Sequence, residues 1–497
     1  MNSRPVFDCD TYPYWCDYSQ YNDKNKKYGT FIDDGKAYEI TDVNTPRPWL
    51  NYLCNDKVAA AVSNTGKGFL WYKSSLFRIT KYEHPIDYLP RDFADGREIL
   101  VEDLDTGGKF NIFKDYDEIK CTHSIYDTKI RISMIGMEFL FTIFVPKDDP
   151  CECWMLSYRN NNDSNRNIKL HFSQIWSVSR FGIHTAEEGI PYLSTPGRDF
   201  SVTVVENGII GESDNKELPV LMNVFFSSPQ KCTPAYETLS ETRKDGRNFN
   251  FTKTQLTFES EVLPGEKKSL MAVSVSDEVK STTDDLFRKY SSSESFNSEL
   301  NKVKQYKNNL IGYNTCSIPD KNMQNFLNIW LKHQLFLTYR YVRSGYIGYR
   351  DSLQDAWGYG LIEPELVRDK ILRILSHMKK DGSCPRNFSP FGIDDEHDLR
   401  NFMDSGTWIG LALSGYIKET GDTAILYEKI RYLDDDKTET VEEHVWKALD
   451  LLYENRGRFG LCLIGAGDWN DGIEGISKKG PAVSVWLTMA VFHFQNL

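Results

Sequence analysis

The chain has 497 residues, of which 40% are apolar and 13% aromatic, and its formal net charge is −12. This length and apolar content can build buried cores in more than one domain, and the negative charge argues against a nucleic-acid partner. No stretch approaches the roughly 18 apolar residues of a membrane span, and the first residues lack a signal-peptide pattern. We therefore expect a cytoplasmic protein without a membrane partner.

Residues 1–276 are predicted to form an N-terminal β-sandwich. Seven segments in this range are rich in β-branched and aromatic residues, several of them alternate, and turn residues separate them. Strands of this kind pack as two sheets, face to face. The segments are 129–146, 153–160, 168–178, 200–208, 220–228, 251–262 and 269–276.

The composition changes near Asp277, where charged residues and serines predominate and the sparse apolar residues recur at helical spacing. We interpret residues 277–320 as a helical linker. From Lys321 onward, helical periodicity predominates, and Pro364 and Pro481 suit the first turns of two of the helices. The predicted helices are 322–342, 364–380, 405–421, 440–457 and 481–495.

Loops rich in Gly, Asp, Arg and Trp separate these helices, which predicts an α/α toroid whose loops converge on one pocket. Five or six helices alone would leave an apolar edge exposed, so we expect residues 321–497 to be the N-terminal part of an incomplete α/α toroid. The fold class is therefore multidomain, with a β-sandwich, a helical linker and part of a helical barrel.

The loop 345–360 has the sequence GYIGYRDSLQDAWGYG. If a helix begins near Asp351, then Asp351 and Asp355 lie on one face, with Arg350 beside them to keep them ionised. The surrounding tyrosines and tryptophan would form a wall that stacks on sugar rings. The alternative is an Asp that caps the helix and forms a surface salt bridge.

A second candidate region comprises 381–390 and 398–408, where Arg386, Arg400 and Asp404 could extend the same pocket. Asp404 precedes Ser-Gly-Thr at a predicted helix start. For Asp404 we favour a helix-capping role over a role in the pocket.

The loop GAGDWNDGIEG, residues 465–475, is the third candidate. Its glycines allow sharp turns, and a carboxylic acid beside Trp469 has an environment that raises its pKa, as a general acid requires. An Asp-rich turn or a loose metal loop is the alternative. The spacing does not match a calcium loop and offers no His or Cys ligand, so we expect no metal.

Four motifs together resemble the inverting phosphorylases of glycoside hydrolase family 94, which include cellobiose, cellodextrin, laminaribiose and chitobiose phosphorylases. They are TPRPWLNYL (45–53), REILVEDLDTGGKFN (97–111), GYRDSLQDAWG (348–358) and GDWNDGI (467–473). The resemblance implies a β-sandwich, a helical linker and an (α/α)6 barrel. It also implies cleavage of a β-linked glucose di- or oligosaccharide by phosphate, giving α-glucose 1-phosphate, and a homodimer.

The same resemblance assigns residues to roles. Asp471 would be the general acid, Asp351 would bind hydroxyls of the non-reducing sugar, and Trp469 would line that subsite. Phosphate is already anionic and attacks directly, whereas an inverting hydrolase needs a second carboxylate for water, roughly 6.5–9.5 Å from the acid. No metal or organic cofactor is needed, and inorganic phosphate is the co-substrate.

Two departures from the family pattern concern specificity. In cellobiose-type members an arginine lies six residues before the aspartate of the RD motif, where this chain has Gly345; Arg343 is the nearest substitute. The His-Trp-rich segment of those members has no counterpart around Arg386. These departures favour another β-glucoside or an oligosaccharide over cellobiose.

Family members also extend beyond the loop 465–475, named here the acid loop, into a part that holds phosphate. The expectation is therefore a fragment, a chain completed by a second polypeptide, or a non-catalytic carbohydrate-binding remnant. An inverting hydrolase is the other alternative, with Glu474 or Asp404 as the base.

Overall fold

The computed structural model describes most of the chain in two compact units, Met1–Lys307 and Asn308–Leu497. The described residues are 26–45, 48–75, 77–81, 96–182, 193–194, 200–213, 221–227, 230–242, 248–290, 292–340, 347–389, 397–400, 402–470, 473 and 476–497. The predicted order, β-sheets followed by helices, is confirmed. None of the helices in this part of the chain is long and apolar enough to cross a membrane.

The first unit contains two large antiparallel sheets. The strands are β1 Gly29–Ile32, β2 Ala37–Ile40, β3 Leu50–Cys54, β4 Val58–Ser63, β5 Gly68–Tyr72, β6 Phe77–Thr80, β7 Arg97–Asp103, β8 Lys109–Asn111, β9 Glu118–Ser124, β10 Thr128–Met134, β11 Met137–Phe144, β12 Cys151–Asn160, β13 Arg166–Gly182, β14 Leu193–Ser194, β15 Phe200–Val205, β16 Gly208–Ser213, β17 Leu221–Phe226, β18 Thr233–Thr242, β19 Asn248–Val262 and β20 Lys267–Asp277. One sheet has the order β1-β2-β9-β10-β11-β12-β20-β17-β16-β15. The other has the path β18-β19-β13-β6-β5-β4-β3, with β7, β8 and β14 beside it.

The predicted segment 129–146 is a hairpin rather than one strand. Its turn is Ile135–Gly136, and both residues have positive φ, 49° and 70°. Positive φ at both central positions is the geometry that matches the twist of paired strands in a two-residue hairpin. Met134 therefore pairs with Met137; β10 buries alternate side chains, and β11 does so only in its first half.

The core of this unit lies between the sheets. Trp154 of β12 is fully buried, and its ring lies 6.2 Å from that of Phe172 in the opposite sheet and 5.3 Å from that of Phe225. Beside it, Arg97 of β7 is ion-paired with Glu152 of β12, and both side chains are buried. The pair is hydrogen-bonded on all sides: Arg97 also donates to the carbonyl of Ala61 at 2.9 Å, and the Trp154 indole donates to Glu152.

Helices α1 Lys280–Lys289 and α2 Ser293–Gly312 follow strand β20. The remaining helices are α3 Lys321–Asn325, α4 Leu331–Arg340, α5 Tyr349–Tyr359, α6 Pro364–Leu375, α7 Thr407–Thr420, α8 Val441–Glu454 and α9 Val485–Phe494. Short strands β21 Ile347–Gly348, β22 Asn387–Phe388, β23 Lys429–Arg431 and β24 Thr438–Thr440 lie among them, with 3-10 turns at Asp33–Gly35, Thr423–Tyr427 and Ile476–Lys479.

The predicted helix 322–342 contains a π-helical turn, Phe326–Trp330, between α3 and α4, in which the amide of Leu331 donates to the carbonyl of Phe326. Pro364 is the first residue of α6, as predicted. The prediction for Pro481 is wrong. Helix α9 begins at Val485, because the Ser484 hydroxyl accepts from the amide of Leu487 and caps the helix there.

The buried ion pair in the β-sheet unit yields a stability prediction. Glu152→Gln leaves the Arg97 charge buried without compensation, so we expect the unfolding free energy of this unit to fall by about 3–5 kcal/mol. Urea unfolding followed by intrinsic fluorescence measures the change. The double variant Arg97→Met/Glu152→Gln should lose less than the sum of the two single variants.

The matched control is Asp285→Asn, which removes the exposed Arg288–Asp285 pair of α1 and should leave the unfolding midpoint unchanged. Equal effects of Glu152→Gln and Asp285→Asn would show that burial of the Arg97–Glu152 pair does not matter.

Candidate active site

Backbone hydrogen bonds join the first two candidate loops. Strand β21 pairs with β22, so that Gly348 lies opposite Asn387. The amide of Tyr349, the first residue of α5, donates to the carbonyl of Arg386 at 3.1 Å. The start of α5 is thereby fixed against the segment that carries Arg386.

The same kind of contact joins the other loops. Arg386 and Asp398 are linked by an amide-to-carbonyl bond of 2.8 Å, within an isolated bridge between Asn387 and Asp398. Phe402 pairs in parallel with Gly467, and the amide of Met403 donates to the Gly467 carbonyl at 3.0 Å. The structure therefore brings together the described parts of all three candidate regions.

Helix α5 places Asp351 and Asp355 one turn apart, as the spacing predicts. The N-cap is Gly348 and receives no side-chain cap, so the capping alternative for Asp351 is wrong. Asp351 is exposed, and its carboxylate folds back over Gly348: an ideal Cβ on that glycine would lie 2.1 Å from Asp351 Oδ2. Asp355 is half-buried. Burial lowers the pKa of the Lys370 side chain to about 8, and the negative charge of Asp355 opposes this shift.

Arg350 contacts two other loops. Its Nη1 lies 3.2 Å from Asp404 Oδ2, 3.4 Å from the carbonyl oxygen of Asp468 and 3.3 Å from that of Trp469. The sequence placed this arginine beside Asp351 and Asp355. In the structure its guanidinium reaches across to the loop that precedes α7 and to the acid loop.

Asp404 does not cap α7, contrary to the role that we favoured. The N-cap position is Gly406, which receives no side-chain hydrogen bond. The Asp404 carboxylate is fully buried; Oδ2 accepts from Arg350 and from the Trp408 indole at 3.1 Å, while Oδ1 has no hydrogen-bond partner. Burial raises the pKa of this carboxyl, and the Arg350 guanidinium offsets only part of the effect.

The acid loop is held from inside by Asp468. Its Oδ1 accepts from the amide of Asn470 at 2.9 Å, and its Oδ2 accepts from the Ser484 hydroxyl at 2.5 Å. Gly465 has φ of 62°, and a Cβ on Gly467 would lie 2.6 Å from the Phe402 ring, so both glycines are required by the geometry.

Several predicted residues are not in the described part of the chain. Asp471, Arg343, Gly345 and Glu474 lie outside the described residues.

Three tryptophans form a row beside this loop. Trp469 is 55% exposed, and its ring lies 6.0 Å from that of Trp486 with an interplanar angle of 27°. Trp486 in turn lies 6.3 Å from Trp408 at 31°. Exposed indole faces of this kind can stack on sugar rings. Sequence reasoning missed Trp486, because it assigned the segment 481–495 to a helix and sought sugar-binding groups only in the loops.

Arg386 lies at the edge of the same loop assembly. Its guanidinium is 4.7 Å from the centre of the buried Phe402 ring and 3.8 Å from Asp398. Arg400 bonds to the same carboxylate at 2.6 Å. The pKa of Asp398 is lowered: burial acts to raise it, but the hydrogen bonds and charge of Arg400 outweigh burial.

Two family models match the chain. The model "Glycosyl hydrolase 94 superfamily, catalytic domain" matches residues 306–497, and "Glycosyl hydrolase 94, supersandwich domain" matches residues 36–178. A solved structure assigned to a kojibiose phosphorylase from the human microbiome has a TM-score of 0.52 and 10% identity, covering 90% of this chain and 61% of that one. This likeness is one of fold.

Curated relatives include two enzymes of Paenibacillus borealis. Solabiose phosphorylase is 26% identical in an alignment of 495 residues, gaps included, that covers 94% of this chain and 62% of the relative. A 3-O-β-D-glucopyranosyl-β-D-glucuronide phosphorylase is 26% identical in an alignment of 524 residues, gaps included, that covers 95% of this chain and 62% of the relative. The chain thus spans about three fifths of the length of these relatives.

The buried carboxyl of Asp404 yields a pH prediction. Its pKa is raised in the folded state, so between the ordinary value near 4 and the raised value the folded state binds more protons than the unfolded state. The contribution of Asp404 to stability therefore increases as pH falls through this window. In urea titrations from pH 7 to about pH 4, we expect the wild type to gain stability relative to Asp404→Asn.

Asp398→Asn is the control of opposite sign. Because the pKa of Asp398 is lowered, its stabilisation is complete above its unfolded-state pKa and is lost as pH falls through the folded-state pKa. The same pH trend in both variants would contradict the assignment.

Proposed function

The chain belongs to glycoside hydrolase family 94, and from this membership we propose that it cleaves a β-glucosidic bond in a di- or oligosaccharide with inorganic phosphate. The products are α-glucose 1-phosphate and a shortened sugar. The observation that carries the proposal is the contact at Arg350 between the start of α5 and the acid loop, beside a row of tryptophans. The names of the Paenibacillus relatives, both phosphorylases, support it.

In this proposal Asp471 is the general acid. It follows Trp469 and Asn470 in a loop whose preceding residues are fixed by Asp468 and by the Gly467–Met403 bond. A fixed loop supports proton transfer, because the acid must stay within hydrogen-bond reach of the glycosidic oxygen. The loop belongs to a helical unit that we propose to be part of an (α/α)6 barrel.

Asp351 and the tryptophans are proposed to hold the sugar. Asp351 is an exposed carboxylate at the start of α5 and can accept from hydroxyl groups, and Trp469 and Trp486 offer ring faces. Inorganic phosphate is the nucleophile and arrives anionic, so no second carboxylate is needed to activate water.

The position of Asp404 disfavours this residue as the base of an inverting hydrolase. A base that activates water must reach that water, and the Asp404 carboxylate is buried and bonded to Arg350 and Trp408.

Replacement of the general acid is the decisive test. Asp471→Asn should lower kcat by about 10²–10⁴-fold while sugar binding is retained, because only proton donation is lost. The assay is phosphate-dependent release of α-glucose 1-phosphate from β-1,2-, β-1,3- and β-1,4-linked glucose disaccharides and trisaccharides. Asp450→Asn, an exposed aspartate of α8, is the matched control.

Three results would overturn this proposal. Turnover that persists without phosphate would indicate a hydrolase, and unchanged turnover of Asp471→Asn would reject this residue as the acid. Sugar binding without turnover on any of these substrates would favour a binding protein.

Gly348→Ala tests the position of the Asp351 carboxylate. The glycine has φ of −64° and ψ of 127°, so alanine fits the backbone, but its methyl group occupies the position of Asp351 Oδ2. We expect KM for the sugar to rise about 10-fold, the cost of one hydrogen bond to a charged group, with little change in melting temperature.

Gly360→Ala at the other end of α5 meets only ordinary contacts, at 3.4 Å and beyond, and serves as its control. An unchanged KM in Gly348→Ala would remove Asp351 from the sugar site.

A further inference from the structure

We propose that Asp404 is a positioning residue whose buried carboxylate holds Arg350 and, through it, holds the acid loop against the start of α5. The proposal rests on the function proposed above for that loop. Asp404 acts on the loop through Arg350, without contact with the substrate.

The contacts of Arg350 show how this works. One nitrogen, Nη1, lies between the carboxylate of Asp404 and the carbonyl oxygens of Asp468 and Trp469, at 3.2–3.4 Å from each. A guanidinium among backbone carbonyls in a poorly hydrated site needs a negative partner, and Asp404 supplies it. If that charge is lost, Arg350 loses the negative partner that offsets the cost of its burial.

Burial separates this role from substrate binding. The exposed fraction of the Asp404 side chain is 0%, and its second oxygen, Oδ1, is buried without a hydrogen-bond partner. A sugar that arrives from solvent cannot reach either oxygen in this arrangement. The carboxylate therefore affects the site through the groups that touch it, Arg350 and Trp408.

The chain also contains a matched pair for comparison. Asp404 lies just before the N-terminus of α7, and Asp422 lies just after the C-terminus of the same helix. Asp422 forms an ion pair with Arg368 at 3.1 Å. Helix α7 has 14 residues and is therefore about 21 Å long, so the two ion pairs are well separated. The Asp422 pair is partly exposed and contacts no candidate loop residue in the described contacts.

Amide hydrogen exchange of the 497-residue chain, followed by mass spectrometry, tests the proposal without any need for turnover. In Asp404→Asn and in Arg350→Gln, peptides covering 465–473 should exchange about 10-fold faster than in the wild type. The double variant should exchange no faster than either single variant, because both remove the same contact. Asp404→Glu should restore part of the protection, and Asp422→Asn should leave these peptides unchanged.

Two results would overturn the proposal. Wild-type exchange of the loop in Asp404→Asn would show that the carboxylate does not hold it. An undiminished effect of Asp404→Asn in the Arg350→Gln background would show that it does not act through Arg350. If Asp404→Asn does not fold, Arg350→Gln alone decides, since faster loop exchange is required of it as well.

Kinetics separate this proposal from the proposed function. In an active enzyme, Asp404→Asn should lower kcat about 10-fold and leave KM for phosphate unchanged, because the substitution changes only the placement of the acid. If the wild type shows no phosphorolysis but the exchange results hold, the proposed function fails and the positioning role stands. If phosphorolysis is observed but loop exchange in Asp404→Asn matches the wild type, the proposed function stands and the positioning role of Asp404 fails.

Discussion

Backbone amide and carbonyl groups in buried loops must find hydrogen-bond partners, and this requirement organises the candidate site. Helices and strands satisfy these groups internally, but the Gly- and Asp-rich loops of the helical unit cannot. They pair with one another: Tyr349 with Arg386, Arg386 with Asp398, and Met403 with Gly467. Loops that are distant in sequence are therefore fixed relative to one another before any ligand binds, which is the pre-organisation that binding and catalysis require.

The two units use buried arginine–carboxylate pairs in different ways. Between the sheets, Glu152 is satisfied by Arg97 and by the Trp154 indole, and Arg97 is satisfied by Glu152 and by backbone carbonyls. In the loop assembly, Asp404 keeps one oxygen without a partner, and its carboxyl has a raised pKa. A fully bonded pair specifies how two sheets pack. The partly bonded Arg350–Asp404 pair costs stability, because one carboxylate oxygen is buried without a partner. In our proposal this cost is offset by the order that the pair imposes on the acid loop.

The sequence predicted the elements with strong periodicity. The predicted strand segments from residue 129 onward and most predicted helices coincide with observed elements within a few residues, because burial of one face produces a readable pattern. Strands β1–β9 and β18 lie outside the segments that were predicted as strands. The hairpin turn at Ile135–Gly136 was missed, since isoleucine rarely adopts positive φ and the pattern continues through the turn. For the site, the spacing of Asp351 and Asp355 correctly predicted that they lie one helical turn apart. The sequence did not predict that Arg350 bonds to Asp404. The Arg350–Asp404 pair depends on tertiary contacts between loops 54 residues apart, and no local spacing encodes it.

The π-helical turn between α3 and α4 has an evolutionary consequence. A turn closed by a bond from Leu331 to Phe326 contains one residue more than an α-helical path would use. Since each residue advances an α-helix by about 100°, the wide turn absorbs the extra residue, and deletion of one residue from Phe326–Trp330 would restore regular geometry without rotating α3 relative to α4. A further insertion, by contrast, would turn one helix face away from its neighbours by about 100°, so this segment can lose one residue more easily than it can gain one.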